Sequence, residues 1–309
     1  MIPRPPAGLR SYLFAPGNHA RRAEKVFTAG ADAAILDLED AVAHAEKAAA
    51  RPLVVAALKR PRAVPGYVRV NGSESPWWQD DLDAIVGPWL DGVVLPKVES
   101  AGQVQAFAER LDACERRAGL APGSLDLMLI VETARGIVHI DSIAAASPRI
   151  GRIALGGGDY TNDLDLEWTP DEAALAYARA RMAHAARAAG IEPPIDTVVI
   201  EVRDQARFLE SARNGRRLGF GGKLCIHPDQ IAPCHAVFTP GGDEIARART
   251  IVAAFGEAEG RGLASIQVDG VFVDYPVACR ARRILALAER LGLAEGRAGA
   301  VPRPVSDAR

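Results

Sequence analysis

Cysteine is scarce in this chain. Its four residues, Cys114, Cys225, Cys234 and Cys279, form no C-x-x-C pair. That excludes a disulfide scaffold and a thioredoxin-like redox motif, and reads as reduced thiols in a cytoplasmic protein. Long apolar runs are missing as well. No stretch reaches the roughly 18 uninterrupted apolar residues that a membrane span needs, and the opening Met1–Gly8 has no apolar signal-peptide core. Neither sign of charge dominates. The net charge is −2, with no lysine/arginine block or aromatic–basic interleaving, so a nucleic-acid surface is not expected. No G-x-G-x-x-G follows the first apolar run, and Arg217 and Leu224 break the Walker register around Gly222-Lys223. Ser11, Ser73 and Ser75 lack the G-x-S-x-G context of a serine hydrolase.

What is present is repetition. Short apolar runs alternate with longer Ala/Arg/Glu-rich segments of helical period. The runs are Ser11–Ala15, Ala33–Leu38, Tyr67–Val70, Gly92–Leu95, Leu127–Val131, Arg152–Leu155, Ile195–Ile200 and Lys223–Ile226. Regular strand–helix alternation argues for parallel strands joined by helical crossovers. Eight units are the number a closed (β/α)8 TIM barrel requires; an open doubly wound α/β sheet is the alternative. Amphipathic helices are expected over Ala101–Arg117 and Asp171–Ala189. After the eighth run the pattern changes to a helix over Gly241–Glu259, a hairpin at Asp269-Gly270 and a helix over Val277–Arg290. The expected organisation is a flexible leader (1–9), a barrel (10–240), a lid or oligomerisation extension (241–294) and a mobile tail (295–309).

Polar residues collect where the runs end, which is where α/β barrels carry chemistry. Glu132 ends Leu127–Val131, and Asp159 follows Gly156-Gly157-Gly158 after Arg152–Leu155. Acids on neighbouring strand tips suit one hard cation. With no nearby histidine they are more Mg2+-like than Zn2+-like; helix capping by either acid is the competing reading. In Leu36-Asp37-Leu38-Glu39-Asp40, strand alternation places Asp37 and Glu39 on one face, and Asp40 reads as a helix cap. Arg69, within a strand, needs a partner. That partner is a substrate carboxylate gripped bidentately, an internal bridge to Asp37 or Glu39, or both. Lys97 is a similar, weaker case. Cys225, His227, Cys234 and His235 fit no zinc spacing. Asp274 reads by itself as a surface strand acid.

Several segments together resemble one family. They are Arg10–Asn18, Leu36–Val42, Val68–Gly72, Leu95–Ser100, Val131-Glu132-Thr133 and Ile226-His227-Pro228. They are similar to citrate lyase β-subunit-like proteins of the HpcH/HpaI aldolase superfamily, together with malyl-CoA and citramalyl-CoA lyases. The resemblance implies a barrel with a C-terminal lid, assembled as a homotrimer or hexamer. It implies Mg2+ held by Glu132 and Asp159, and Arg69 on the carboxylate of the substrate; Asp37, Glu39 and Lys97, read from the strand pattern, join Arg69 and Glu132 as candidate substrate contacts. It implies coenzyme A bound along Phe14, Arg21, Lys25, Ile226 and His227, and Asp274 as an acid/base supplied by a neighbouring subunit's lid. This chain has Tyr275 where members often carry lysine, and Gly221 where they often carry aspartate.

The activity so implied is Mg2+-dependent, reversible carbon–carbon cleavage. A 3-hydroxy-3-carboxyacyl-CoA such as malyl-CoA or citramalyl-CoA would give a 2-oxo acid and acetyl-CoA. The alternatives are the β subunit of a citrate lyase acting on a citryl-acyl-carrier protein, a malyl-CoA thioesterase, and a non-catalytic metabolite-binding barrel.

Overall fold

The computed structural model describes residues 8–293. The expected tail (295–309) and residues 1–7 of the expected leader lie outside them. The described chain divides into two compact units, the first ending at Phe238 and the second beginning at Thr239.

The first unit is a closed parallel barrel of eight strands in sequence order: β1 Ser11–Pro16, β2 Ala33–Asp37, β3 Gly66–Arg69, β4 Gly92–Leu95, β5 Asp126–Val131, β6 Ile150–Leu155, β7 Ile195–Asp196 and β8 Gly222–Cys225. β8 pairs back onto β1 through Tyr12 and Leu224, which rules out the open sheet. The helices are α1 Ala20–Lys25, α2 Lys47–Leu58, α3 Trp78–Ile85, α4 Ala101–Arg117, α5 Ala134–Val138, α6 Ile140–Ala144, α7 Gly157–Asp163, α8 Ala176–Ala189, α9 Gln205–Arg217 and α10 Ile231–Phe238. α4 begins where its sequence says it must: Ser100 accepts the Gln103 N–H, and the Gln103 side chain accepts the Ser100 N–H, a capping box.

Strand alternation separates two cores. Leu13, Leu36, Val68, Val93, Leu129 and Ile153 point outward into the layer between sheet and helices. Tyr12, Ile35, Tyr67, Val94, Met128, Ala154, Ile195 and Leu224 fill the barrel interior. The end of the barrel where the strands begin is filled by a polar cluster. Tyr67 Oη donates to Asp126 (2.8 Å), and Arg152 donates to Tyr67 Oη (2.6 Å) and Asp126 (2.9 Å). The Tyr12 ring packs edge-on to Tyr67.

Three expectations are corrected. The seventh run was expected as a strand over Ile195–Ile200, but only Ile195–Asp196 join the sheet. Beyond them the polar groups bond elsewhere: Thr197 Oγ1 accepts the Gly157 N–H (2.8 Å), and the Val199 carbonyl accepts from Gln230 (2.9 Å). The helix expected from Asp171 starts at Ala176 after a short 3-10 turn, because Glu172 adopts a left-handed backbone, φ 54°. Asp40 caps nothing: α2 begins only at Lys47, and Asp40 instead meets Lys97 Nζ at 3.2 Å.

The second unit holds α11 Gly242–Gly260, β9 Ser265–Val268, β10 Val271–Asp274 and α12 Tyr275–Arg290. β9 and β10 form an antiparallel hairpin with positive φ at both Asp269 (48°) and Gly270 (77°), the twist-compatible turn for two-residue loops. Ile251, Phe255, Val273 and Ala278 form its core, and Tyr275 packs edge-on to Phe255. Among the described residues, no helix is long and apolar enough to cross a membrane.

Candidate active site

Residues that alternation aims inward at the C-terminal strand ends converge on one cavity of about 400 Å³. β2 and β3 pair with Asp37 opposite Arg69, so the register itself brings carboxylate and guanidinium together. Arg69 donates from Nε and Nη2 to the two oxygens of Asp37 at 2.7 and 2.6 Å, and Nη1 lies 3.1 Å from Glu39 Oε2. The guanidinium also lies over the Phe14 ring, 5.0 Å from its centroid. Asp37 further accepts the N–H groups of Glu39 and Ala41. A guanidinium has five N–H donors. Two are committed to Asp37, and Nη1 faces Glu39 Oε2 as an ion pair without a hydrogen bond, so N–H groups on Nη1 and Nη2 remain uncommitted and can meet a ligand carboxylate.

The electrostatics divide these acids. Burial pushes Asp37 up, but the Arg69 charge and hydrogen bonds outweigh it and hold the carboxyl below its ordinary range. Burial raises Glu39 despite Arg69 and Lys97. Lys97 Nζ reaches Glu39 Oε1 at 2.6 Å, and against burial this pairing raises the ammonium's pKa.

Glu132 follows β5 and is buried, 2% exposed. Its Oε1 accepts the Lys97 backbone N–H at 2.8 Å, while Oε2 lies against Gly156. It is not a helix cap: the next residue, Thr133, caps α5 by accepting the Gly136 N–H (3.1 Å). Asp159 stands in the first turn of α7. Burial, then the nearby Asp159 and Glu39 charges, push the Glu132 carboxyl well above its ordinary value, with Arg69 opposing. Such a carboxyl needs a proton or a cation beside it. No group of three or more His, Cys, Asp or Glu suited to a metal exists among the described residues. The donor set at Glu132 and Asp159 is thus two carboxylates, which fits a hard cation that completes its shell with water and substrate oxygens.

The opposite wall is apolar: Phe14, Ile130, Val198, Leu224 and Ile226. Phe14 and Ile226 therefore reach the cavity as expected. His227 lies beside it in sequence, its Nδ1 accepting the Asp229 N–H (3.2 Å). Arg21 and Lys25 are exposed on α1 and are not among the cavity-lining residues. Asp274 belongs to the second unit, where it caps α12 by accepting the Val277 N–H (3.2 Å). The zinc-like residues have other tasks. His235 Nε2 lies 2.8 Å from Ser11 Oγ and 3.2 Å from Asp32. One nitrogen facing both partners is not a relay, which needs the two ring nitrogens to face opposite groups.

Three contributions were not foreseen. Gly156 makes room for Glu132, Thr197 Oγ1 holds the start of α7, and Lys97 acts through its backbone. The Gly156-Gly157-Gly158 run was a visible signal, whereas nothing around Pro96-Lys97 marks a left-handed residue.

Comparison with known proteins adds to this geometry. Residues 10–228 match the model of the HpcH/HpaI aldolase/citrate lyase family. The citrate lyase subunit beta of Escherichia coli K12 is 40% identical over 288 residues, covering 93% of this chain and 95% of that protein. A (3S)-malyl-CoA thioesterase of Cereibacter sphaeroides is 38% identical over 288 residues, covering 91% and 95%. The structure of CitE from Mycobacterium tuberculosis, in complex with magnesium, acetoacetate and coenzyme A, superposes with a TM-score of 0.74 at 30% identity, covering 92% of this chain and 98% of that one.

Proposed function

Because the chain belongs to the HpcH/HpaI aldolase/citrate lyase family, we propose that it is a Mg2+-dependent carbon–carbon lyase. Its substrate would be a 3-hydroxy-3-carboxyacyl-CoA such as malyl-CoA or citramalyl-CoA, split reversibly into a 2-oxo acid and acetyl-CoA. One observation carries the reading: an arginine fork with uncommitted N–H donors shares a cavity with a two-carboxylate cation site, Glu132 and Asp159. A substrate with a hydroxyl beside a carboxylate matches that pairing. The relative crystallised with magnesium, acetoacetate and coenzyme A supports the same ligand set.

The residue roles follow. Arg69 binds and orients the substrate carboxylate through its uncommitted N–H groups. Asp37 and Glu39 act on the substrate through Arg69, which they hold rigid, and Lys97 holds Glu39 in turn. Glu132 and Asp159 would hold Mg2+, which when bound supplies Lewis-acid stabilisation of developing alkoxide charge. The hydroxyl gives its proton to solvent water, its oxygen closes the carbonyl of the 2-oxo acid as the carbon–carbon bond breaks, and that bond's electron pair passes into the thioester enolate. Asp274 returns a proton to the enolate carbon, or removes one in the condensing direction. Phe14 and Ile226 line the thioester arm, and His227, Arg21 and Lys25 extend toward the nucleotide end of coenzyme A. The lid bearing Asp274 is read as serving a neighbouring subunit in a homotrimer or hexamer. A cytoplasmic location belongs to the same reading, supported by four free cysteines.

The thioesterase relative favours a second reading, in which the same site hydrolyses malyl-CoA. Malyl-CoA, citramalyl-CoA and β-methylmalyl-CoA, each offered with and without Mg2+, separate the two when free thiol and 2-oxo acid are followed independently. The lyase gives 2-oxo acid without thiol. Thiol without 2-oxo acid marks the thioesterase. Activity only on a citryl-acyl-carrier protein marks a citrate lyase subunit, and no turnover at all overturns the enzymatic reading.

A further inference from the structure

Lys97 is a lysine with a left-handed backbone, φ 55°, a conformation that strains any residue carrying a Cβ. The other non-glycine residues with positive φ among those described are Asp165, Glu172 and Asp269, and unlike Lys97 none of them bonds to a residue that lines the cavity. What the strain achieves is visible in the contacts. The turned backbone carries the Lys97 N–H across from the end of β4 to Glu132 Oε1, 2.8 Å away. The oxygen left over is Oε2, on the Gly156 side, where α7 begins and brings Asp159. The side chain runs the other way. Nζ reaches Glu39 Oε1 at 2.6 Å and Asp40 Oδ1 at 3.2 Å, and Glu39 in turn faces Arg69 Nη1.

We propose that Lys97 is a positioning residue whose backbone sets the Glu132 carboxylate for the cation, while its ammonium grips Glu39 and so keeps the backbone in the left-handed turn. The residue acts through Glu132 and touches no reacting atom. The side chain matters to Glu132 only as an anchor: four hydrogen bonds, one from the backbone and three from Nζ, offset the strain of the turn. The inference rests on Glu132 being a cation ligand.

The two roles separate by substitution. Lys97→Gly loses the ammonium but adopts a left-handed backbone without strain. Lys97→Asn keeps a Cβ and is among the residues that tolerate this region. Lys97→Ala loses the anchors and retains the strain, so its backbone relaxes and the N–H leaves Glu132. Mn2+ binding to the substrate-free protein, read by electron paramagnetic resonance, reports the carboxylate's setting without turnover. Lys97→Ala should bind Mn2+ roughly ten- to a hundredfold more weakly than wild type, the scale of losing one hydrogen bond to a charged group. Lys97→Gly and Lys97→Asn should stay within about twofold of wild type, since both hold the turn. Glycine outperforming alanine is the signature that a merely structural side chain would not produce. Equal affinity in Lys97→Ala and Lys97→Gly, whether both tight or both weak, overturns this inference alone. Failure of the wild-type protein to bind Mn2+ overturns the cation reading of Glu132, and this inference with it.

Discussion

A methyl group at position 156 would sit 2.1 Å from Glu132 Oε2 and 2.6 Å from Glu132 Cβ. The glycine is there for the carboxylate, not for the chain's flexibility. Gly156→Ala should therefore leave the fold intact while displacing Glu132, lowering Mn2+ affinity by about tenfold or more, the scale of losing a well-placed charged ligand. Titration of the purified variant checks this, and unchanged affinity would mean that Glu132 is not a ligand. Arg69 gives a sharper case. Arg69→Met strips the shared cation from Asp37 and Glu39, both buried, at a cost of about 3–5 kcal/mol for a broken buried pair. Urea unfolding measures the loss, and carboxylate-bearing substrates should lose turnover as well. The need for a partner at Arg69 was legible in the sequence, because a guanidinium in a strand cannot stay alone. That it uses Nε and Nη2 on Asp37 and Nη1 on Glu39 was not, because this depends on strand register.

Strand β7 shows the same division at the scale of an element. Its apolar stretch reads as six residues, but the ladder holds two: the Gln230 side chain takes the Val199 carbonyl that a longer strand would pair, and the Thr197 hydroxyl accepts the Gly157 N–H at the start of α7. Its second residue, Asp196, points out of the barrel and is buried. Arg179 on α8 donates to it at 2.8 and 3.0 Å, and Lys223 on β8 donates at 2.7 Å. Burial pushes the Asp196 carboxyl up, but Lys223 and Arg179 overcome this and hold it below its ordinary value. A depressed folded-state pKa stabilises the protein above the unfolded value, about 3.9, and that stabilisation fades as pH falls toward the folded value. Asp196→Asn should lose about 3–5 kcal/mol at neutral pH, since buried Lys223 loses its counter-charge and Arg179 keeps only Glu172. Its stability should also change less with pH below about 4 than the wild type's. Equilibrium unfolding at several pH values measures both. The departure at Gly221 belongs here too. A Cβ there would meet Pro193 at 2.9 Å, and β8 is held instead by Lys223, which reaches Arg10 through its backbone and Asp196 through its side chain. By contrast, α4 matched its expected bounds because Ser100 and Gln103 encode its start locally. Eight strands were countable because each is short, apolar and followed by turn residues.

At the scale of the molecule, the proposed division of labour between barrel and lid has a direct test. Arg69→Met and Asp274→Asn should each abolish turnover, while Asp274→Asn should still bind Mg2+ and 2-oxo acid. If the lid serves another subunit, unfolding and reassembling the two variants together should restore about a quarter of the sites by random assortment in a symmetric oligomer. Steady-state rates of the mixture read this out, and no recovery would place each lid over its own barrel. The interior beneath the cavity bears on the order of events. Tyr12, Tyr67, Asp126 and Arg152 are all buried and bonded or stacked on one another at the far end. The barrel is therefore a blind well rather than a tunnel. Under the proposed lyase reaction, a small acid held at its floor would have to be loaded before a longer thioester covers it, and after cleavage it would leave only once the thioester had gone, so the path of traffic alone would impose a sequence on binding and release.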